Sequence, residues 1–323
     1  MSFNKLSNQK KYKKTDELAK KVGNKGIHNA FTDLCEFKGS LFCCYREAKN
    51  HVSRDGVIRI LCLDFLGNAI FDNAISVANT DLRDPKLSVT PDGELLLIAY
   101  ARLTTSNNRT VSSNNVNWIS QNGKSWSAIR YFADQGWWLW RLNWLDGLAY
   151  GFAYNRKANA IHLYKGNPRR SFHLHQAKVL SLAQHHLGYP NESDLLFHNK
   201  TAYALIRRDA DSYSAQLGTS SFPYKRWQWL DLNIYIGGPV MIHLKNHIAL
   251  VAGRILQNNK LVTGLMSLDL LNGRLTLITV LPSARDNSYP DLVLKNNRLY
   301  ISYYSSHLDN KSSVYLAELD IDC

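Results

Sequence analysis

No run of about eighteen apolar residues occurs in this chain, so nothing in it reads as a membrane-spanning helix. The opening MSFNKLSNQKKYKK lacks the apolar core of a secretory signal. A cytoplasmic protein is expected, or one exported without a conventional signal peptide. Cysteine is scarce: Cys35, Cys43, Cys44, Cys62 and Cys323 are an odd five with no CxxC spacing. That argues against a zinc cluster or a disulfide framework and for reduced, mostly buried thiols. The terminal IDC is not a prenylation box. No P-loop, dinucleotide fingerprint or GxSxG elbow occurs, and no cofactor is expected. His173-x-His175 and His185-His186 have no third ligand nearby in sequence, so no metal site is expected either. Beyond about residue 28 no long segment has a 3.6-residue apolar period, which excludes helical bundles and doubly wound α/β folds.

The apolar fraction of 45% is enough for a sizeable core and excludes wholesale disorder. Net charge is +13, unevenly spread. Residues 1–25 hold eight lysines against Asp16 and Glu17, and the rest of the chain carries +7. Residues 1–27 therefore read as a basic arm. It is a solubilising tail or a weak contact for an anionic surface, with no nucleic-acid partner expected.

From residue 28 to 323, short runs rich in Leu, Ile, Val, Tyr, Phe and Trp alternate with Gly, Asn, Asp and Pro turns. Examples are Leu41–Tyr45, Val57–Leu63, Leu95–Tyr100, Leu148–Tyr154, His247–Ala252 and Arg298–Tyr303. Such a pattern means a sandwich, a barrel or a propeller. Roughly 300 residues exceed a usual sandwich, and four-stranded blades of about 40–50 residues would make six. The fold expected is all-β, a six-bladed β-propeller.

Asn191–Asp209, NESDLLFHNKTAYALIRRD, reads as a hairpin turning at His198-Asn199-Lys200. It returns Arg207 and Arg208 to the sheet edge that carries Glu192. A carboxylate beside two guanidiniums is a candidate site for an anionic or polyhydroxylated ligand, or simply a surface ion pair. Trp137, Trp138, Trp140 and Trp144 are sugar-stacking candidates, but strand alternation buries about half of them. Ser120–Trp126, SQNGKSW, describes a structural hairpin tip in which Asn122 bonds the turn backbone and Trp126 buries beneath it.

SQNGKSW is similar to the Asp-box of sialidases, SxDxGxTW, with Asn122 in place of the aspartate. Residues 44–60, 81–98, 218–242 and 284–307 resemble bacterial sialidase-like propellers with BNR repeats, a six-bladed group, and the resemblance covers the chain from about 28 onward. It implies a glycan or acidic-sugar ligand. Sialic acid carries its carboxylate on the anomeric carbon and repels a carboxylate nucleophile, so sialidases use a neutral tyrosine activated by a glutamate. Arginines clamp the substrate carboxylate through forked hydrogen bonds, and a separate aspartate acts as acid, then base.

On this resemblance Tyr289, in SYPDL, is the nucleophile and Glu192 its base, while Asp55 in SRDG is the acid/base. The anion-binding set is Arg46 in CYREA, Arg83 in LRDP, Arg207, Arg208 and Arg254. The departure is at Phe31-Thr32-Asp33-Leu34, where sialidases read F/Y-R-I-P: Thr32 supplies no guanidinium, and Asp33 would repel a carboxylate if it faced the site. Arg83 or Arg285 are the candidates to replace the missing arginine. The leading expectation is a sialidase-like glycosidase. The alternatives are a non-catalytic glycan-binding propeller, or a protein-interaction platform tethered by its basic arm. Oligomeric state is not legible.

Overall fold

The computed structural model describes residues 19–107 and 109–321. Six antiparallel sheets follow one another along the chain, each a propeller blade. A short strand β1 (Ala19–Gly23) comes first. Blade 1 is β2 (His28–Phe37), β3 (Ser40–Ala48), β4 (Val57–Leu63) and β5 (Ala69–Ile75). Blade 2 is β6 (Thr80–Val89), β7 (Leu95–Thr104), β8 (Thr110–Ser120) and β9 (Arg130–Phe132). In blade 3 the inner strand is broken into β10 (Trp138–Leu139) and β11 (Asn143–Leu145). Both pair with β12 (Leu148–Asn155), followed by β13 (Ala160–Asn167) and β14 (Ser171–Ser181). A single helical turn, α1 (Leu182–His185), leads into blade 4: β15 (Pro190–His198), β16 (Thr201–Arg208), β17 (Gln216–Ser221) and β18 (Gln228–Asp231). Blade 5 is β19 (Gly237–Lys245), β20 (Ile248–Gln257), β21 (Lys260–Asp269) and β22 (Leu275–Val280). Blade 6 is β23 (Asn287–Lys295), β24 (Arg298–Ser305) and β25 (Ser313–Asp320), with β1 paired to β25 as its outermost strand.

That pairing shortens the arm expected over residues 1–27. Ala19–Gly23 belongs to the propeller because it satisfies the open edge of β25, and residues 1–18 lie outside the described residues. No described helix is long and apolar enough to cross a membrane. The blades pack face to face through apolar side chains, such as Ile58, Ile60, Leu82 and Leu97 between blades 1 and 2. Ser120–Trp126 is pinned as its residues dictate. Asn122 Oδ1 accepts from the N–H groups of Lys124 (2.8 Å) and Ser125 (2.9 Å), Ser120 Oγ accepts from Gly123 N (2.8 Å), and Trp126 packs half-buried against the blade core.

Five inner strands share one device. Near the start of β2, β6, β15, β19 and β23 a bulge leaves two residues out of the ladder: Phe31–Thr32, Asp84–Pro85, Asn191–Glu192, Gly238–Pro239 and Tyr289–Pro290. A bulge re-aims a side chain out of the sheet's alternation. Just beyond three of these bulges stand Asp33, Asp194 and Asp291. Each carboxylate accepts the backbone N–H of a neighbouring inner strand, at Leu87 (2.7 Å), Met241 (2.7 Å) and Leu34 (2.9 Å) respectively. Arg141 joins them on the axis, 2.8 Å from Asp33, 3.0 Å from Asp291 and 3.9 Å from Asp194. Lys86 lies 3.8 Å from Asp33. Three carboxylates against two cations leave one negative charge uncompensated in a buried hub. Burial first, then Asp291, accordingly pushes the Asp33 carboxyl up to about 8 despite Arg141 and Lys86.

Candidate functional site

The bulged residues converge at one mouth of the axis. Tyr289 Oη donates to Glu192 Oε1 at 2.5 Å. Glu192 Oε2 accepts from Arg207 Nη1 (2.6 Å) and from the Gly238 backbone N–H (2.7 Å). Arg207 Nη1 also reaches Tyr289 Oη at 3.2 Å, and its Nε donates to Asp209 at 2.9 Å. Arg254 lies over the Tyr289 ring, 5.3 Å from its centroid, and donates to the Asn287 carbonyl and, at 3.3 Å, to Tyr304 Oη. Tyr289 and Glu192 are 9% and 8% exposed, so the pair opens on the mouth only by its edge.

Backbone conformation aims the phenol. Ser288 and Tyr289 have φ of 95° and 49°, in the left-handed region, and Thr32 Oγ1 clamps the Tyr289 carbonyl at 2.7 Å. Gly238, at φ 57°, passes so close that a Cβ there would lie 2.9 Å from Tyr289 Cγ. Only glycine allows both that conformation and that approach.

Electrostatics polarise the pair. Burial pushes the Tyr289 phenol well above its ordinary value and the Glu192 charge pushes the same way, against Arg207 and Arg254. Burial alone would raise Glu192, but Arg207, the Tyr289 hydroxyl and the Gly238 N–H together hold it below the usual carboxylate range. The resting pair is therefore a neutral phenol hydrogen-bonded to a carboxylate.

Of the residues singled out from the sequence, Tyr289, Glu192, Arg207 and Arg254 come together. Arg208 does not: it turns away to the Gly188 carbonyl (3.1 Å) and Asp211 (2.6 Å), because neighbours on a strand point to opposite faces. Arg46 is fully buried and spent on Asp81 (2.7 Å) and the Asn50 and Ser53 carbonyls, where it ties down the 49–56 loop. Asp55 is exposed and accepts the Lys49 N–H at 3.2 Å, so it caps its own loop instead of facing the dyad. Arg83 lies over the Phe31 ring (5.1 Å) and bonds the His51 carbonyl (2.9 Å), on the opposite wall from Arg254. Arg285 is exposed and bound to Asn310 (2.9 Å). Asp33 faces the hub and not the mouth.

The sequence reading missed several members of the mouth. Asp84 occupies the bulge of β6, buried, its carboxyl raised by burial and by Glu192 against Arg83 and Lys86. Tyr235, Tyr304 and Trp140 line the walls, with the Trp140 ring 5.8 Å from Tyr289. His28, His51 and Asp286 form a cluster beside Tyr304, their ligand-type atoms within 4.8 Å of one another. A signal for Asp84 was present. FTDL, DPKL, ESDL and YPDL are one repeated motif, and its first residue (Phe31, Asp84, Glu192 or Tyr289) stands in the bulge of its strand.

No protein-family model matches the chain, and no curated protein sequence matches it. Among solved structures, a protein of unknown function from Dyadobacter fermentans superposes with a TM-score of 0.76 at 15% identity, over 94% of this chain and 99% of that one. An α-L-arabinanase from Penicillium chrysogenum, complexed with arabinobiose, superposes with a TM-score of 0.72 at 14% identity, over 94% and 98%. The Trypanosoma rangeli sialidase in complex with sialic acid gives 0.66 at 11% identity, over 94% of this chain and 57% of that one. The architecture is thus the six-bladed propeller on which sialidases and an arabinanase are built.

Proposed function

We infer that the chain is a glycoside hydrolase acting on an acidic, sialic-acid-like sugar. Tyr289 is its nucleophile and Glu192 the base that activates it. The observation that carries this reading is the 2.5 Å hydrogen bond from Tyr289 Oη to Glu192, with Arg207 bridging both oxygens. Tyr289 Oη bonds to the anomeric carbon as its proton passes to Glu192. The glycosidic C–O bond breaks, and its electron pair leaves on the aglycone oxygen, which takes a proton from an acid. Water then reverses the covalent step. A neutral phenol is not repelled by a carboxylate on the anomeric carbon. Arg207 and Arg254 each keep one Nη group with no protein partner among the described residues, and these are the donors offered to that carboxylate.

The substrate class rests on these two arginines, since an arabinanase complexed with arabinobiose, an uncharged sugar, shares the fold. An aryl α-sialoside is the first probe. Wild-type protein should release the aryl alcohol, and Tyr289→Phe should abolish release while circular dichroism stays unchanged. Absence of wild-type turnover over a broad panel of aryl glycosides would sink the hydrolase reading. A binding-only propeller is the second reading, favoured by Thr32 in place of a third arginine. Saturable glycan binding without product, lost on Arg254→Ala, would support it.

A further inference from the structure

The dyad needs a partner that gives a proton to the leaving oxygen, and Asp55 is turned into its own loop. The same loop presents a different group. His51 is exposed, its ring edge-on to Phe31 with centroids 5.2 Å apart, and Phe31 in turn packs edge-on to Tyr289 at 5.1 Å. Only one phenyl ring therefore separates His51 from the nucleophile. The loop is held there from beneath, because Arg83 bonds the His51 carbonyl and Arg46 bonds the Asn50 and Ser53 carbonyls.

Asp286, 235 residues away in sequence, orients the ring: His51 Nδ1 lies 3.4 Å from Asp286 Oδ2. Asp286 also receives the Tyr304 hydroxyl on Oδ1 (2.8 Å) and His28 Nε2 on Oδ2 (3.0 Å). Arg46 Nη1 faces His28 Nδ1 at 3.5 Å, and a guanidinium can only donate. His28 Nδ1 is therefore the acceptor, and Nε2 carries the proton given to Asp286. A metal on His28 Nε2 would move that proton to Nδ1, against Arg46, so this trio fits hydrogen bonding and not metal ligation. Asp286, charged and accepting from three sides, makes His51 donate from Nδ1. Its Nε2 is left for proton exchange, the tautomer logic of an imidazole oriented by a carboxylate.

We propose that His51 is the acid/base residue of the site, with Asp286 its positioning residue. This rests on the hydrolase reading above. In the first step the His51 Nε2 proton passes to the glycosidic oxygen as the C–O bond breaks. In the second, neutral His51 takes a proton from the water whose oxygen bonds the anomeric carbon. Tyr289 Oη departs and recovers the proton held on Glu192. No electron acceptor is involved.

The test compares two ketosides of one acidic sugar, an activated aryl glycoside and a methyl glycoside, in wild type, His51→Ala, Asp286→Asn and Asp84→Asn. An activated aryl alcohol leaves without a proton; methanol does not. His51→Ala should lose about 10²–10⁴-fold on the methyl glycoside and under about 10-fold in the aryl bond-breaking step. Added azide should restore aryl turnover by forming the glycosyl azide. Asp286→Asn should show the same leaving-group pattern in weaker form. His51 is a surface side chain, so the melting temperature of His51→Ala should match wild type. Equal losses on both substrates, no azide product, or this pattern in Asp84→Asn and not in His51→Ala would each overturn the proposal while the nucleophile reading stands. An inert wild type overturns both.

Discussion

Tyr289 and Glu192 are 97 residues apart, with a whole blade between their own, yet they share a 2.5 Å hydrogen bond. The fold makes this contact by bulging two inner strands at the same height, and Gly238 of the blade between them supplies a backbone N–H to the same carboxylate. Glu192→Gln keeps the shape and removes the base. Turnover of an aryl glycoside should fall by about 10²–10⁴-fold with little change in KM.

The pH response of that pair has a definite sign. Glu192 is held below its ordinary range in the folded protein, so it stays charged there; its contribution to stability is present above the unfolded carboxylate value and is lost as the pH falls through the lowered folded value. Activity at pH 5 should therefore equal that at pH 6 on the Glu192 side of the profile, with the acid limb of kcat/KM below pH 4.5. An acid limb centred near pH 6 would remove Glu192 from the role of base.

Arg254→Ala should separate charge recognition from chemistry. A hydrogen bond to a charged group is worth about 1.5–3 kcal/mol. KM for a carboxylated sugar should rise roughly 10–100-fold, while its methyl ester, which lacks the charge, should change little. Arg208→Ala should instead lower the melting temperature and leave KM alone, because Arg208 is buried on Gly188 and Asp211.

Gly238→Ala tests how tightly the phenol is held. The added methyl would meet Tyr289 Cγ at 2.9 Å from a backbone at φ 57°. The expected cost is about 1–3 kcal/mol in urea unfolding, together with a fall in turnover beyond what the lost stability explains. Unchanged turnover would show that Tyr289 tolerates displacement.

The axial hub predicts a second pH effect, of opposite sign. Asp33 is raised to about 8, so the folded state keeps a proton that the unfolded chain releases near pH 4. Its contribution is fully present below the unfolded value and is lost as pH rises through 8, by at most about 1.4 kcal/mol per pH unit. Denaturant titrations of Asp33→Asn between pH 5 and 8 should show a flatter stability profile than wild type.

The propeller was legible because period-two apolar runs and Asn, Gly and Asp turns recur at blade length, and those are local signals. Tyr289, Glu192, Arg207 and Arg254 stood out because the stretches that carry them resemble sialidase-like propellers, and Glu192 and Arg207 also because one hairpin returns them to a shared edge. Asp33 was read as a threat to an anion site. It stands two residues past Phe31, beyond the bulge, where its carboxylate accepts the Leu87 N–H and pairs with Arg141 in the hub. Asp55 and His51 share one loop, and the residues alone do not say which of the two reaches the mouth. That depends on Asp286 and Arg83, contributed by blades 6 and 2, and such convergence leaves no trace in local spacing.

The repeated bulge has a consequence for how such a site can change over evolutionary time. Each bulge holds its lead residue outside the packed alternation, while the aspartates and leucines behind it carry the hub and the core. Phe31, Asp84, Glu192 and Tyr289 are thus positions around one opening whose side chains the bulges set apart from the ladder. Exchanging one alters the ligand chemistry and leaves the blade-to-blade interlock untouched. Substitutions at these positions would change what the opening presents while the links of Asp33, Asp194 and Asp291 to neighbouring inner strands stay in place.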